Sequence, residues 1–264
     1  VVNLGGGTGE FVSANGLILT NHHVAYGGLQ RASSKDNDYI QNGFLARTRE
    51  QEIPAQGYTA GVLLKYEDVT AKVKAYIKPG MSPKARYEAY DKAEKELVAQ
   101  GEKAVKDVRC SLVPMYSGNA YYLFTFKQIR DVRLVYSPPL DLGNFGGETD
   151  NWMWPRHTCD FSFLRAYVAP DGTSADYSPT NVPYQPKVWL KPASDPLKEG
   201  DLTFIVGYPG TTFRNYSLAE FRADSLNLAK RVKNFQDMIG FYEQAGSKDK
   251  EIEIRYASQV KGLY

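Results

Sequence analysis

The run Gly9-Glu10-Phe11-Val12-Ser13-Ala14-Asn15-Gly16-Leu17-Ile18-Leu19-Thr20-Asn21-His22-His23-Val24 decides how the chain is read. Two short β-prone segments flank Asn15-Gly16, and both of these residues tolerate the positive φ that a tight turn demands. The run therefore predicts a β-hairpin whose second strand ends at His22 and His23, two of the chain's three histidines. Further strands are expected at 61–66, 119–126, 132–136, 161–168, 187–190 and 202–208. Most are short, alternating and separated by Gly, Pro or Asn turns, a pattern that favours a β-barrel or sandwich over a parallel sheet.

Two helical stretches interrupt this pattern. Ser82-Pro83 supplies an N-cap and a first-turn proline for a charged helix that Gly101 can end, an insertion spanning about 82–108. The second begins at Ser217-Leu218-Ala219-Glu220, a capping-box sequence, and carries Leu218, Phe221, Leu228, Val232, Phe235, Ile239 and Tyr242 at roughly helical spacing. From Ser217 onward the composition stays helical, which predicts entry into a second domain.

Composition narrows the function classes. The 264 residues are 42% hydrophobic and 23% charged, ordinary for a globular protein large enough to bury one sizeable core. The net charge of +2 is spread over 32 basic and 30 acidic residues and leaves no basic stripe to neutralise a phosphate backbone, so nucleic acid is excluded as a partner. No run of about 18 apolar residues occurs, so no membrane span is expected. Cys110 and Cys159 lack the C-x-x-C spacing of a zinc or redox site, and whether they pair is open. The opening Val1-Val2-Asn3-Leu4, with no initiator methionine or leader pattern, reads as a processed or excised piece of something longer.

A rigid strand-end histidine followed by a small apolar residue resembles the way trypsin-like proteases, including the bacterial housekeeping type, present their catalytic base. Such an imidazole must offer one nitrogen to a serine while a carboxylate holds the other. His23 is expected to be that base and His22 its structural neighbour. The orienting carboxylate is assigned to Asp160, which heads the alternating strand Phe161-Ser162-Phe163-Leu164-Arg165, with the order His then Asp along the chain. Asp150 is the rival, with a turn role as its plainer reading. Trp152 and Trp154 are either a core plug or a pocket wall, and in the latter case Asn151 would offer its amide oxygen to a substrate amine.

TNHHVAYGG (20–28), NFGGETDNWMWPRHTCDFSFLR (144–165) and GYPGTTFRNYS (207–217) resemble serine peptidase family 46, the bacterial dipeptidyl peptidases of the chymotrypsin clan. The likeness runs over essentially the whole chain. It implies a mainly β, chymotrypsin-like double β-barrel with a large inserted helical domain, removing dipeptides from free N-termini of oligopeptides. It also implies a homodimer in the periplasm or at the outer surface of Gram-negative bacteria, with no metal or organic cofactor. On this resemblance His23 is the base, Asp160 its orienting acid, and Asn151 and Trp152 help hold the substrate's amino terminus. A polar pocket built to pair an ammonium group rejects a chain that continues past it, because blocked donors and acceptors are costly to bury.

Two departures accompany the likeness. Family members usually bridge cysteines at the positions of Gly7 and Val24, and Cys159 stands where glycine is usual. In addition, no G-x-S-G-G or G-x-S-x-G occurs; Ser117-Gly118 lacks the upstream glycine, and Ser13, Ser162 and Ser217 have strand or cap explanations. The resemblance places the nucleophile downstream of Tyr264. The expectation is therefore a first barrel over 1–200, the opening strand of the second over 201–216 and the start of the helical domain over 217–264, inactive alone and with apolar helix residues exposed. The alternatives are a trypsin-like endopeptidase and a catalytically silent peptide-binding module.

Overall fold

The computed structural model describes residues 1–147, 157–210 and 215–264. The chain opens with β1 (Val2–Asn3), β2 (Thr8–Phe11) and β3 (Leu17–Thr20), then α1 (His22–Ala32) and α2 (Tyr39–Asn42). Next come β4 (Phe44–Leu45), β5 (Ile53–Pro54), β6 (Ala60–Asp68), α3 (Thr70–Tyr76) and α4 (Pro83–Ala104). The sheet continues with β7 (Val108–Met115), β8 (Ala120–Ile129), β9 (Asp131–Ser137), α5 (Leu140–Gly143), β10 (Ser162–Val168) and β11 (Val182–Pro183). Two long helices follow, α6 (Leu218–Gly246) and α7 (Lys250–Leu263).

Among the described residues the eleven strands form one antiparallel sheet in the order β4-β9-β10-β3-β2-β1-β6-β8-β7, with β11 on β10 and β5 on β9. The fold is thus mainly β with helices, as expected, but this hydrogen-bonded path does not close on itself. The expected hairpin forms: β2 and β3 pair Gly9 with Thr20 and Phe11 with Ile18. Only Gly16 takes a positive φ, +68°, while Ser13 Oγ accepts from the Asn15 and Leu17 amides and closes the turn.

Strand alternation builds the core. Phe11, Ile18, Leu134, Leu164 and Ala166 point inward from the central strands and meet Ala25 and Leu29 of α1, all buried. A smaller cluster lies under α3 and α4, where Val73, Ala93 and Leu97 cover Cys110, Leu112 and Leu123 of the β7–β8 edge. The α4 insertion starts where expected, at Ser82, whose hydroxyl accepts from the Ala85 amide.

Three expectations are corrected, and one long strand is added. The hairpin's second strand does not end on the histidines; it stops at Thr20, and His22 and His23 open helix α1. Strand β7, which follows the insertion, is an addition: its inward positions are Cys110 and Leu112, and Pro114 interrupts its pattern, which the edge of the sheet path tolerates. Residues 187–190 are no strand and contribute one ladder-like bond, Leu190 N–H to Phe11 O at 2.8 Å. Residues 202–208 are no strand either; Leu202, Phe204 and Ile205 have no neighbouring strand among the described residues and stand exposed.

Helix α7 packs back on the first helix. Ile254 joins the main core, Gln30 Nε2 donates to Arg255 O at 2.8 Å, and Lys250 Nζ pairs with Asp38 at 3.1 Å. Helix α6 leaves Leu218, Phe221, Leu228 and Val232 exposed, as its pattern predicts for a helix whose apolar face lacks cover.

Candidate active site

The site grows out of strand pairing. β3 and β10 run antiparallel with Thr20 opposite Ser162 and Leu19 opposite Phe163. Continuing that register past the strand ends brings the backbone before Ser162 alongside the first turn of α1. Asp160 therefore meets His23, although 137 residues separate them along the chain.

Asp160 Oδ2 lies 2.7 Å from His23 Nδ1, and Asp160 Oδ1 accepts the His23 backbone N–H at 2.9 Å. An ionised carboxylate only accepts, so Nδ1 carries the proton and the Nε2 lone pair is left facing outward. Burial pushes the Asp160 carboxyl up, but the bonds from the His23 ring and backbone outweigh it and hold the carboxyl below its usual range. The His23 side chain remains 57% exposed. An imidazole held this way through Nδ1 has the geometry in which Nε2 can serve as a general base.

The same carboxylate caps the helix. Asn21 occupies the N-cap position with extended backbone, yet its side chain makes no bond to its own helix. The His23 amide, one of the unpaired donors of the first turn, is satisfied instead by Asp160, and the negative charge sits at the positive end of the helix. Such a cap contributes about 1 kcal/mol.

His22 faces the other way. Its ring is fully buried, edge-on to Tyr26 at 5.9 Å, and neither ring nitrogen finds a hydrogen-bond partner among the described residues. Burial, followed by the nearby Lys261 charge, pushes its pKa down to about 4, so it is neutral at ordinary pH. Gly143 admits the ring: a Cβ there would lie 2.6 Å from His22 Cγ. His23 meets the carboxylate, and His22 packs in the core.

The carboxylate beside His23 is Asp160. The rival Asp150, and Asn151, Trp152 and Trp154, lie outside the described residues. Ser13 closes the hairpin turn, Ser162 is buried against Ser137 Oγ at 2.9 Å, and Ser217 caps α6. Ser117 sits in the β7–β8 connection with φ of +56°, at the opposite end of the sheet order from β10. Among the described residues no hydroxyl bonds His23 Nε2. Cys110 and Cys159 are both free thiols. A cavity of about 660 Å³ opens between α2 and the α6–α7 pair, walled in part by Tyr26, Asp38, Tyr242 and Lys261, but neither His23 nor Asp160 lines it. Among the described residues no cluster of metal-ligating side chains forms, and no helix is long and apolar enough to cross a membrane.

Sequence reasoning missed Asn21. Its amide Nδ2 lies 3.2 Å from both Asp160 O and Asp160 Oδ2. Its place directly before the two histidines was the one available signal, and an N-cap asparagine is ordinarily expected to bond its own helix.

The model of the Peptidase S46 family matches residues 1–264. The chain is 40% identical over 265 residues to dipeptidyl-peptidase 7 of Phocaeicola vulgatus, covering 98% of this chain and 36% of the relative. It is also 40% identical over 267 residues to the Asp/Glu-specific dipeptidyl-peptidase of Shewanella putrefaciens, covering 100% and 36% respectively. Among solved structures, Porphyromonas endodontalis DPP11 in complex with the dipeptide Arg-Asp superposes with a TM-score of 0.89 at 36% identity, covering 100% of this chain and 39% of that one. The chain thus spans about a third of the length of the curated relatives it matches.

Proposed function

The chain belongs to the Peptidase S46 family, and on that premise we propose that it supplies the base and the orienting acid of a serine-type dipeptidyl peptidase. The observation that carries the reading is the 2.7 Å contact between His23 Nδ1 and Asp160 Oδ2, with no partner for Nε2 among the described residues. In the whole protein a serine outside these 264 residues would face Nε2.

The chemistry then follows from the dyad. As the serine Oγ attacks the carbonyl carbon of the substrate's second peptide bond, His23 Nε2 takes its proton. The imidazolium next gives that proton to the leaving amine, which departs and leaves an acyl-enzyme on the serine. Water repeats the cycle: Nε2 takes one of its protons, the hydroxide oxygen bonds the acyl carbon, and the serine recovers its hydrogen as the dipeptide leaves. Asp160 stays ionised throughout and stabilises the transient imidazolium. Asn151 and Trp152 would hold the substrate's free amino group, which sets the cut two residues in.

The domain reading follows the family. Residues 1–200 would be the first barrel of a chymotrypsin-like pair, 201–216 the lead into the second and 217–264 the start of the inserted helical domain. Exposed apolar residues along 202–206 and α6 agree with surfaces that further chain covers. Relatives named dipeptidyl-peptidase 7 and Asp/Glu-specific dipeptidyl-peptidase are equally similar to this chain, so we assign preference at the cut to residues outside it. A homodimer in the periplasm or at the outer surface completes the proposal.

The test is the full-length protein on chromogenic dipeptide substrates with a free or an acetylated amino terminus. Release from free peptides only, abolished by His23→Ala, is expected, with no release by residues 1–264 alone. Equal cutting of acetylated peptides would show an endopeptidase instead. Binding without turnover would show a silent module.

A further inference from the structure

We propose that Asn21 is a positioning residue for the His23–Asp160 pair, holding the carboxylate in the one rotation that serves the imidazole. The proposal deepens the peptidase reading and rests on it for its kinetic consequence. The sequence places an ordinary N-cap residue before α1, yet the asparagine and the aspartate have exchanged tasks. Asn21 makes no cap bond to its own helix, and Asp160 Oδ1 takes the first-turn amide that the asparagine oxygen would usually accept. The two hydrogen-bond partners of this side-chain amide are a backbone carbonyl and a carboxylate oxygen, both acceptors, so the amide must turn its nitrogen toward them.

The consequence is geometric. Oδ2 receives two donors, His23 Nδ1 and Asn21 Nδ2, while Oδ1 receives the backbone N–H. Because Nδ2 also bonds Asp160 O, the side chain and the backbone of Asp160 are fixed to one another as well as to the helix. The Asp160 side chain is 30% exposed, so without the Asn21 tie only the two His23 bonds resist rotation of its carboxylate toward solvent. The imidazole would then lose the partner that keeps the proton on Nδ1, and Nε2 would be protonated in part of the population, where it cannot accept from a serine.

The experiment compares Asn21→Ala and Asn21→Asp in the full-length protein, with kcat and KM taken per folded molecule and the His23 tautomer read by NMR after 15N-histidine labelling. Asn21→Ala is expected to lower kcat about tenfold with KM unchanged, the size of one charge-assisted hydrogen bond used in the transition state. Asn21→Asp separates positioning from capping. Aspartate caps helices as well as asparagine does, so a purely structural role predicts normal kcat, whereas here a second carboxylate beside Asp160 should lower kcat further than alanine does. In both variants the Nδ1–H tautomer of His23 should lose population. An unchanged tautomer in either variant overturns the proposal, as does a fall in kcat that merely tracks loss of folded protein. If the tautomer shifts but even the unmutated protein releases no dipeptide, the positioning role stands and the peptidase reading fails.

Discussion

Helices α1 and α6 begin in opposite ways. α6 is capped from within: Ser217 Oγ accepts from the Glu220 amide, and the Glu220 carboxylate reaches back to the Ser217 amide at 2.8 Å. α1 is capped from across the fold, by an aspartate that the chain delivers on the lead-in to a different strand. A local cap serves its helix alone. A cap brought in by tertiary pairing makes the helix terminus and the His23–Asp160 pair a single object, so that changing either changes both.

The strongest way to break this contrast is Asp160→Asn. The amide can still accept through its oxygen, but it no longer demands a proton on Nδ1, and the wrong tautomer then prevails. Activity of the full-length protein is expected to fall about 10⁴-fold in kcat, the scale set by removing the charge of an orienting carboxylate. A Ser217→Ala change at the local cap should leave kcat alone. Comparable losses from the two would mean that the caps do not differ in kind.

A second change should tighten the distant cap without touching its chemistry. A Cβ built on Gly7 would lie 3.3 Å from Val24 Cβ, close to the separation a disulfide needs. These are the positions where related peptidases are expected to carry a bridge, and Val24 follows His23 directly. The pair Gly7→Cys and Val24→Cys closes a loop of roughly 17 residues and is expected to stabilise the oxidised protein by about 3 kcal/mol over its reduced form. Denaturant melts with and without reductant check this, and no difference between them would show that the Val24 side of α1 cannot accept the bridge.

The two faces of the first turn of α1 also respond differently to acid. His22 titrates near 4 in the fold, against 6.5 for a solvated histidine. Between these values the unfolded chain holds a proton that the native chain refuses, so stability falls as pH drops from about 6.5 toward 4 and this loss levels off below. The full loss is at most about 3 kcal/mol. Asp160 acts in a lower window, because its depressed carboxyl gives stability that is lost only as pH falls through its folded value, below the ordinary carboxylate range. His22→Phe keeps a ring under Gly143 and Tyr26 and should flatten the upper window only. A stability curve still sloping from pH 6.5 to 4 in that variant would assign the slope to another group.

The same contrast explains what could be read in advance. β6, β8, β9 and β10 were legible in the sequence as short apolar runs between turn residues, with alternating burial in β8 and at the start of β10, and Ser82-Pro83 and Ser217-Glu220 announced α4 and α6 because their caps lie within four residues. Helix α1 went unread because the acceptor that satisfies its first-turn amide comes from Asp160, and no window around Asn21 contains it. β7 went unread because a cysteine and a proline stand where a strand pattern would show larger apolar residues. The site divided likewise: His23 and Asp160 were legible through their places beside strands, while Asn21 has a role that exists only once β3 and β10 have paired.

The smallest effect concerns the local cap itself. Ser217→Ala removes the hydroxyl half of the box together with the bond from the Ser217 hydroxyl to Glu220 Oε2 at 2.7 Å, and leaves the backbone amide of residue 217 to donate to Glu220. Capping losses of this kind cost about 1 kcal/mol, and here the cost is confined to a helix whose first turns are largely exposed, with Leu218 and Phe221 uncovered. Fraying should therefore stop within α6, well before Ile239 at its packed end. Amide hydrogen exchange is the fitting measurement: faster exchange is expected in the opening turns of α6, and unchanged protection in α1 and α7. Protection lost in α1 as well would show that the two helix starts are coupled through α7, whose Arg255 carbonyl already accepts from Gln30.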